Sequence, residues 1–201
     1  MTPVELIALA ASTSLLAGWR LYLVTLITGL GMKFGWVALP DQLAALDVLA
    51  NNWVLGIAAI GTLAEFFADK IAWVDSAWDA IHSFIRPLGG ALLSLAIIDS
   101  GDPAWQIASF LLGGGAAFVA HAGKAGARTI VNASPEPFSN IAVSTVEDVA
   151  TGGLLALAIA NPIAAALIAA ILVILSLWLA IAARRMLRRL IDRINPPRRP
   201  V

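Results

Sequence analysis

Six apolar runs, each close to the length that a helix needs to cross a membrane, take up most of this chain. Crossing about 30 Å of hydrocarbon takes about 20 helical residues. Hydrophobic residues make up 60% of the chain and charged residues only 13%, against roughly 25% charge in an average soluble domain. The sequence predicts an all-α, polytopic membrane helix bundle of about six transmembrane helices, at residues 4–30, 52–68, 81–98, 104–123, 141–160 and 162–183.

Two further segments have an amphipathic pattern. Residues 38–50 alternate apolar and polar positions at helical period, which predicts a helix along the membrane surface. Residues 184–201 hold seven of the ten arginines, and they predict a basic tail that lies on anionic headgroups, with no nucleic-acid partner. We therefore divide the chain into a transmembrane domain, 1–183, and a tail, 184–201.

The arginines also predict orientation, because lysine and arginine accumulate in cytoplasmic loops. The tail places the C-terminus in the cytoplasm, and six crossings then place the N-terminus there too. An Ala-Gly-x-Arg pattern at 17–20 recurs at 125–128, which predicts two inverted three-helix repeats, 1–98 and 104–183. The alternative is chance, since small residues are abundant in membrane helices.

A row of ionisable residues stands at the start of the third apolar run. Asp75, Asp79, His82 and Arg86 have the spacing i, i+4, i+7 and i+11, which puts them on one helical face. Carboxylates and an imidazole suit a divalent cation, so Asp75, Asp79 and His82 are candidate metal ligands. The alternative is a cytoplasmic hairpin whose acids are solvated or paired with Arg86 and Lys70.

Charge inside a bilayer costs roughly 2.5–3.5 kcal/mol per group, so the remaining buried charges are candidates for function. The acids would bind a cation or a proton, the basic residues would balance charge or contact an anion, and His82 and His121 would titrate near neutral pH. The candidate ion- or substrate-binding residues are Arg20, Glu65, Asp69, Asp79, Arg86, His121, Lys124, Arg128, Glu136 and Glu147.

Arg20 lies well inside the first apolar run, where it is the natural countercharge for Glu147 or Asp148. Those two acids are adjacent and point about 100° apart, so at most one readily faces a given site. Glu136 stands between two prolines, in a stretch that predicts a re-entrant segment or a structured cytoplasmic loop.

Several motifs stand out along the chain: Glu-Phe-Phe-Ala-Asp-Lys at 65–70, Val-Asp-Ser-Ala-Trp-Asp at 74–79, Arg-Pro at 86–87, His-Ala-Gly-Lys-Ala-Gly-Ala-Arg at 121–128, Asn-Ala-Ser-Pro-Glu-Pro at 132–137 and Glu-Asp at 147–148. With them the chain resembles the bacterial membrane proteins of the domain of unknown function DUF4126. The resemblance covers nearly the whole chain before the tail. It implies a multi-pass helical protein of the bacterial inner membrane, and it implies no activity.

The residues leave three functions open. The first is a small transporter or channel for an ion or small solute. Its partners would be membrane lipid and the transported species, and the sequence leaves open whether it forms a homo-oligomer. The second is an intramembrane metal-dependent enzyme that acts on a lipid phosphate, with Lys124 and Arg128 on the phosphate. The third is a non-catalytic scaffold whose charges hold helices together. Familiar hydrolase, metalloprotease, P-loop and dinucleotide motifs are missing from the sequence.

Overall fold

The computed structural model describes residues 1–36, 41–132 and 138–194, and every regular element in these ranges is a helix. The all-α prediction is confirmed, and each of the six predicted spans lies inside one α-helix. The elements are α1 (Pro3–Lys33), the 3₁₀ helix η1 (Asp41–Ala50), α2 (Asn52–Ala68), α3 (Ala72–Ile98), α4 (Pro103–Asn132), α5 (Phe138–Ala160) and α6 (Pro162–Ile194).

By length and composition alone, with α1 counted as one unbroken helix, five helices among the described residues could cross a membrane, or six if η1 and α2, which are bent by 72°, form one span. Large apolar side chains such as Trp53, Phe84 and Leu167 are exposed on the outside of the bundle. Apolar side chains in that position face lipid. The chain is therefore a multi-pass membrane protein in contact with lipid.

Helix α1 turns back on itself at Arg20, whose backbone is non-helical (φ −144°, ψ 68°). A straight helix of 31 residues would hold its ends about 45 Å apart. Instead, Leu9 on one side of the break and Met32 on the other line a single cavity of about 240 Å³. The element is therefore a helical hairpin with arms 3–19 and 21–33 and with Arg20 at its tip.

The open end of this hairpin defines what we call the apolar end of the bundle. There Leu9 packs in one core cluster with Leu43 of η1, Ile97 of α3, Ala158 of α5 and Ala165 of α6. These residues lie where α3 and α5 finish and where α6 starts. Because α6 then runs away from this end, the N-terminus and the end of α6 lie at opposite ends of the bundle. The sequence predicted both termini on one side because it counted α1 as a full crossing.

The middle of the bundle is closed by apolar side chains of the hairpin against α3 and α5. Leu16, Leu21 and Val24 pack there with Leu93 and Leu155. Lipid provides no hydrophobic drive for helices to associate, so close packing holds them together.

One such contact lies beside the hairpin tip. A Cβ on Gly18 would collide with the backbone carbonyl oxygen of Ala117 in α4. Only a glycine lets the first arm of the hairpin lie this close to α4.

Two sequence expectations are not confirmed by the structure. In η1, Leu43 and Leu46 are buried in the apolar core while Asp47 is exposed, so this face packs against protein, and the position of η1 along the membrane surface stays a prediction. The first half of the chain contains a hairpin and a bent pair, whereas the second half contains three continuous helices, so the predicted inverted repeat is not confirmed. Helix α6 continues without a break through the first part of the predicted tail, and residues 195–201 lie outside the described residues.

Candidate functional site

Ionisable side chains from five elements converge at the end of the bundle opposite the apolar end. Among the described residues, four cations and six carboxylates approach one another within 4 Å in a continuous network of ion pairs. We call this network the charged cluster. Its members are Arg20, Glu65, Asp69, Asp75, Asp79, Arg86, Lys124, Arg128, Glu147 and Asp148.

Arg20 lies at the centre of the charged cluster because the break in α1 puts it at the hairpin tip. Its side chain is 1% exposed and donates to Asp69, while its Nη2 lies 3.2 Å from a Glu147 oxygen and its Nε lies 3.1 Å from an Asp148 oxygen. The guanidinium also donates to the Ser144 carbonyl at 3.1 Å. One side chain therefore joins α1, the end of α2 and α5.

The predicted pairing of Arg20 with Glu147 is present, and the pairing with Asp148 is present beside it. Sequence reasoning left Asp148 out of the site because adjacent acids diverge by about 100° on a helix. A guanidinium has nitrogens on several sides, so it donates to Glu147 through Nη2 and forms an ion pair with Asp148 through Nε at the same time. The planar, many-donor geometry of arginine was the signal that could have found Asp148.

Lys124 lies farther from its partners than Arg20 does. Its Nζ donates to the backbone carbonyl of Trp19 at 3.2 Å, and it lies 3.6 Å from Glu65 and 3.7 Å from both Asp69 and Glu147. Its side chain is 2% exposed. One ammonium is thus shared among three carboxylates.

Arg86 links the charged cluster to His121. Its Nη2 donates to Glu65, and its Nη1 lies 3.2 Å from Asp79 and 2.6 Å from Nδ1 of His121. A guanidinium only donates, so Nδ1 of His121 accepts, and its Nε2 carries the hydrogen and donates to the Asp79 carbonyl at 3.0 Å. Both ring nitrogens of His121 are engaged, so a proton on Nδ1 would cost the hydrogen bond from Arg86.

His82 has different partners. Its Nδ1 donates to the Trp78 carbonyl at 2.7 Å, and its Nε2 lies 3.1 Å from the Tyr22 hydroxyl. Because a hydroxyl can donate or accept, Nε2 can be either free or protonated without losing this bond. His82 therefore keeps both hydrogen bonds in either protonation state, and Tyr22 is a partner that the sequence did not indicate.

Arg128 binds the start of α3 to the end of α2. It holds Asp75 through two nitrogens, at 3.0 and 3.2 Å, and donates to the Asp69 carbonyl at 2.6 Å. Asn132 donates to the same Asp75 carboxylate at 2.7 Å. Through these bonds Asp75 holds the start of α3 against α4.

The structure does not bring the three predicted metal ligands together. Asp75 is held by Arg128, Asp79 by Arg86, and His82 by Trp78 and Tyr22. Within the described ranges, no group of three or more histidine, aspartate or glutamate side chains is placed to hold a metal ion. Glu136, the remaining predicted site residue, lies outside the described residues.

Asp69 lies in the turn between α2 and α3 and is fully buried. Burial raises the pKa of its carboxyl, and the positive charges of Lys124, Arg20 and Arg128 lower it by more, so the pKa of Asp69 falls to about 2. The carboxylate is charged at neutral pH.

These features define a polytopic helical membrane protein with a buried, net acidic charged cluster at one end. The family Domain of unknown function (DUF4126) matches residues 7–182, so the chain belongs to that family, as its motifs indicated. Searches of curated proteins and of solved structures found no match.

Proposed function

We propose that this protein is a small transporter or channel that moves a proton or a small cation through the charged cluster. The observation that carries the proposal is the excess of carboxylates over cations, six against four, in a network that is largely closed to solvent. Buried charge without a partner is expensive, so such a network attracts a proton or a cation.

An entry route is supported by a gradient of exposure. The side chains of Asp148 and Glu147 are 27% and 16% exposed, whereas those of Glu65 and Asp69 are 2% and 0% exposed. Arg20 and Lys124 contact both the outer and the inner acids. A cation that arrives at the rim thus meets a continuous series of carboxylates that leads inward.

The arginines of α6 support an orientation in which this entry faces the cytoplasm of the bacterial inner membrane. Arg184, Arg185, Arg188 and Arg189 are exposed at the same end of the bundle as the charged cluster. Basic residues favour the cytoplasmic side. The opposite exit is closed by the apolar packing of Leu16, Leu21 and Val24, so passage requires the hairpin to move.

A scaffold is the second candidate, and it is favoured by the buried ion pairs of Arg86 and Arg128. Both are buried, and both contact carboxylates on other elements. In a scaffold these ion pairs would hold α2, α3 and α4 together and nothing would move. The two functions make different predictions for the partly exposed acids Glu147 and Asp148. Transport needs their charge for ion flux, whereas a scaffold needs it only for folding.

The deciding experiment measures proton and cation flux into proteoliposomes. Glu147→Gln removes a rim carboxylate, and Asp47→Asn, at an exposed position of η1 on the apolar end, is the control. We expect Glu147→Gln to lose flux while remaining folded and Asp47→Asn to keep it. Equal flux in wild type, Glu147→Gln and protein-free liposomes would refute transport and leave the scaffold.

A further inference from the structure

The neighbourhood of the Lys124 ammonium has the composition of a cation site. Four oxygen atoms surround Nζ at 3.2 to 3.7 Å. We call these four oxygen ligands the ammonium site: the Trp19 carbonyl and the carboxylates of Glu65, Asp69 and Glu147.

The Trp19 carbonyl belongs to this site because of the break in α1. It lies at the C-terminal end of the first arm, immediately before the non-helical Arg20. The C-terminal end of a helix carries partial negative charge, and its last carbonyls have no helical partner. Carbonyls at the ends of broken helices bind the coupling ions of many transporters.

Asp69, one of the four groups, is not fully satisfied by the cations around it. It is fully buried. Its Oδ2 faces Nζ at 3.7 Å, while its Oδ1 lies 3.9 Å from Nη2 of Arg128 and has no hydrogen-bond partner within the described part of the chain. Burying an unpartnered carboxylate oxygen is costly, because the oxygen gives up its hydration without a replacement. A free cation in place of the tethered ammonium can move towards this oxygen and supply the missing contact.

The spacing selects the kind of cation. Mg²⁺ and Ca²⁺ take oxygen ligands at about 2.0–2.6 Å, which is much closer than the oxygens of this site lie to Nζ. An ion of single charge and of the size of ammonium replaces the lysine ammonium without changing the charge of the cluster. The flexible four-carbon stem of lysine allows Nζ to leave without movement of the backbone.

We propose that a transported monovalent cation displaces the Lys124 ammonium from the ammonium site, so that the lysine is a tethered competitor for its own substrate. This inference rests on the proposed function and adds to it the class of substrate and the step at which the substrate binds. Lys124 holds the site closed when the cation is absent and expels the cation when it returns.

The test vacates the site with Lys124→Met, which keeps the length of the side chain and removes its charge. The melting temperature of the purified protein is measured in ammonium chloride or potassium chloride and, at equal ionic strength, in N-methylglucamine chloride, whose cation is too large for the site. At a hundredfold excess over Kd we expect the smaller cations to raise the Tm of Lys124→Met by about 5 to 10 °C and to leave wild type almost unchanged.

Lys70→Met is the matched control. Lys70 contacts the Phe66 carbonyl and the Ser144 hydroxyl, and its removal leaves the ammonium site occupied. Its Tm should not distinguish the salts. If Lys124→Met fails to fold, Lys124→Ala is purified with and without propylammonium, which replaces the missing part of the side chain. Recovery of folded protein supports the inference, and no recovery overturns it.

Flux measured on the same variants separates this inference from the proposed function. If the Tm of Lys124→Met is the same in all three salts while wild type shows normal flux, the displacement step is refuted and the proposed function stands. Stabilisation of Lys124→Met by ammonium, beside a wild type that moves no ion, would refute transport and leave a cation-binding site. Stabilisation together with a loss of flux in Lys124→Met is the expected result, because nothing then expels the bound cation.

Discussion

At the charged end of the bundle, Arg20 contacts carboxylates that come from two other parts of the chain, whereas at the apolar end Leu9 and Leu43 pack beside a cavity of about 240 Å³. The same helical hairpin forms both ends, with its tip in one and its open side in the other. At the charged end the helices are held by pairs of opposite charges, and at the apolar end they are held by the fit of apolar side chains.

This difference teaches which end tolerates change. Removing one partner from a buried ion pair leaves an uncompensated charge and is strongly destabilising. Removing apolar volume loses packing contacts, but the apolar end already contains empty space and can adjust. A substitution of a fully buried charge at the charged end should therefore cost much stability, and a substitution at the apolar end should cost less.

The largest effect is expected at the hairpin tip. Arg20→Met leaves the carboxylates around it without their shared cation, so we expect a loss of about 3–5 kcal/mol in unfolding free energy or no folded protein at all. Arg184→Met, at an exposed position of α6, is the control and should stay within about 0.5 kcal/mol of wild type. Denaturant titration in detergent measures both. A folded, stable Arg20→Met protein would show that the charged cluster does not hold the bundle together.

A smaller effect is expected from Leu43→Ala at the apolar end. Leu43 is 1% exposed and packs against the hairpin, and large-to-small changes in cores cost about 2–5 kcal/mol in proteins in general. We expect a value of about 2 kcal/mol, because lipid weakens the hydrophobic part of the loss. The flux per folded molecule should not change. A loss greater than that of Arg20→Met would reverse the comparison between the ends.

The pH dependence of stability separates the ends in another way. The pKa of Asp69 lies below its ordinary value, at about 2, so the charged form stabilises the folded state above about pH 4, and this contribution is lost as the pH falls through about 2. Its size is on the order of 2 kcal/mol. Stability curves of Asp69→Asn should be flatter than wild type between pH 4 and pH 2. Leu43→Ala should run parallel to wild type, and identical curves for all three proteins would contradict the assignment.

The smallest expected effect is a gain in stability. The Thr28 hydroxyl in the apolar end is buried without a hydrogen-bond partner among the described residues, whereas the Thr25 hydroxyl donates to the Leu21 carbonyl at 2.9 Å. Thr28→Val removes an unpartnered polar group and keeps the shape of the side chain, so it should stabilise the protein by about 1 kcal/mol. Thr25→Val removes a made bond and should not stabilise it. Thermal unfolding of the two variants side by side checks this sign.

The sequence predicted the helices and most of the charged cluster, because apolar runs and the cost of buried charge are local signals. Arg20 with Glu147, and the row on α3 with its own Arg86, were paired as expected. The turn at Arg20 was missed because the run 4–30 contains no proline and therefore has the pattern of one continuous span. The charge in the middle of that run was the only sign of a break.

Other details depend on contacts that no local pattern contains. The hydrogen bond from Arg86 decides which nitrogen of His121 carries the hydrogen. The apolar face of η1 was visible in the sequence, but its covering by protein rather than lipid follows from the hairpin. The metal ligands predicted on one face of α3 were each taken by a different partner, which helical spacing alone does not reveal.

The central claim is that the charged end moves a cation and the apolar end only supports it, and one paired measurement tests this directly. Flux and melting temperature are measured on Glu147→Gln and on Leu43→Ala in the same proteoliposome preparation. We expect Glu147→Gln to lose flux with little change in Tm, because Glu147 is partly exposed and both Arg20 and Lys124 keep other carboxylates. We expect Leu43→Ala to lose Tm with unchanged flux per folded molecule. If flux in both variants falls only in proportion to the loss of folded protein, the charged end has no role of its own and the account is wrong.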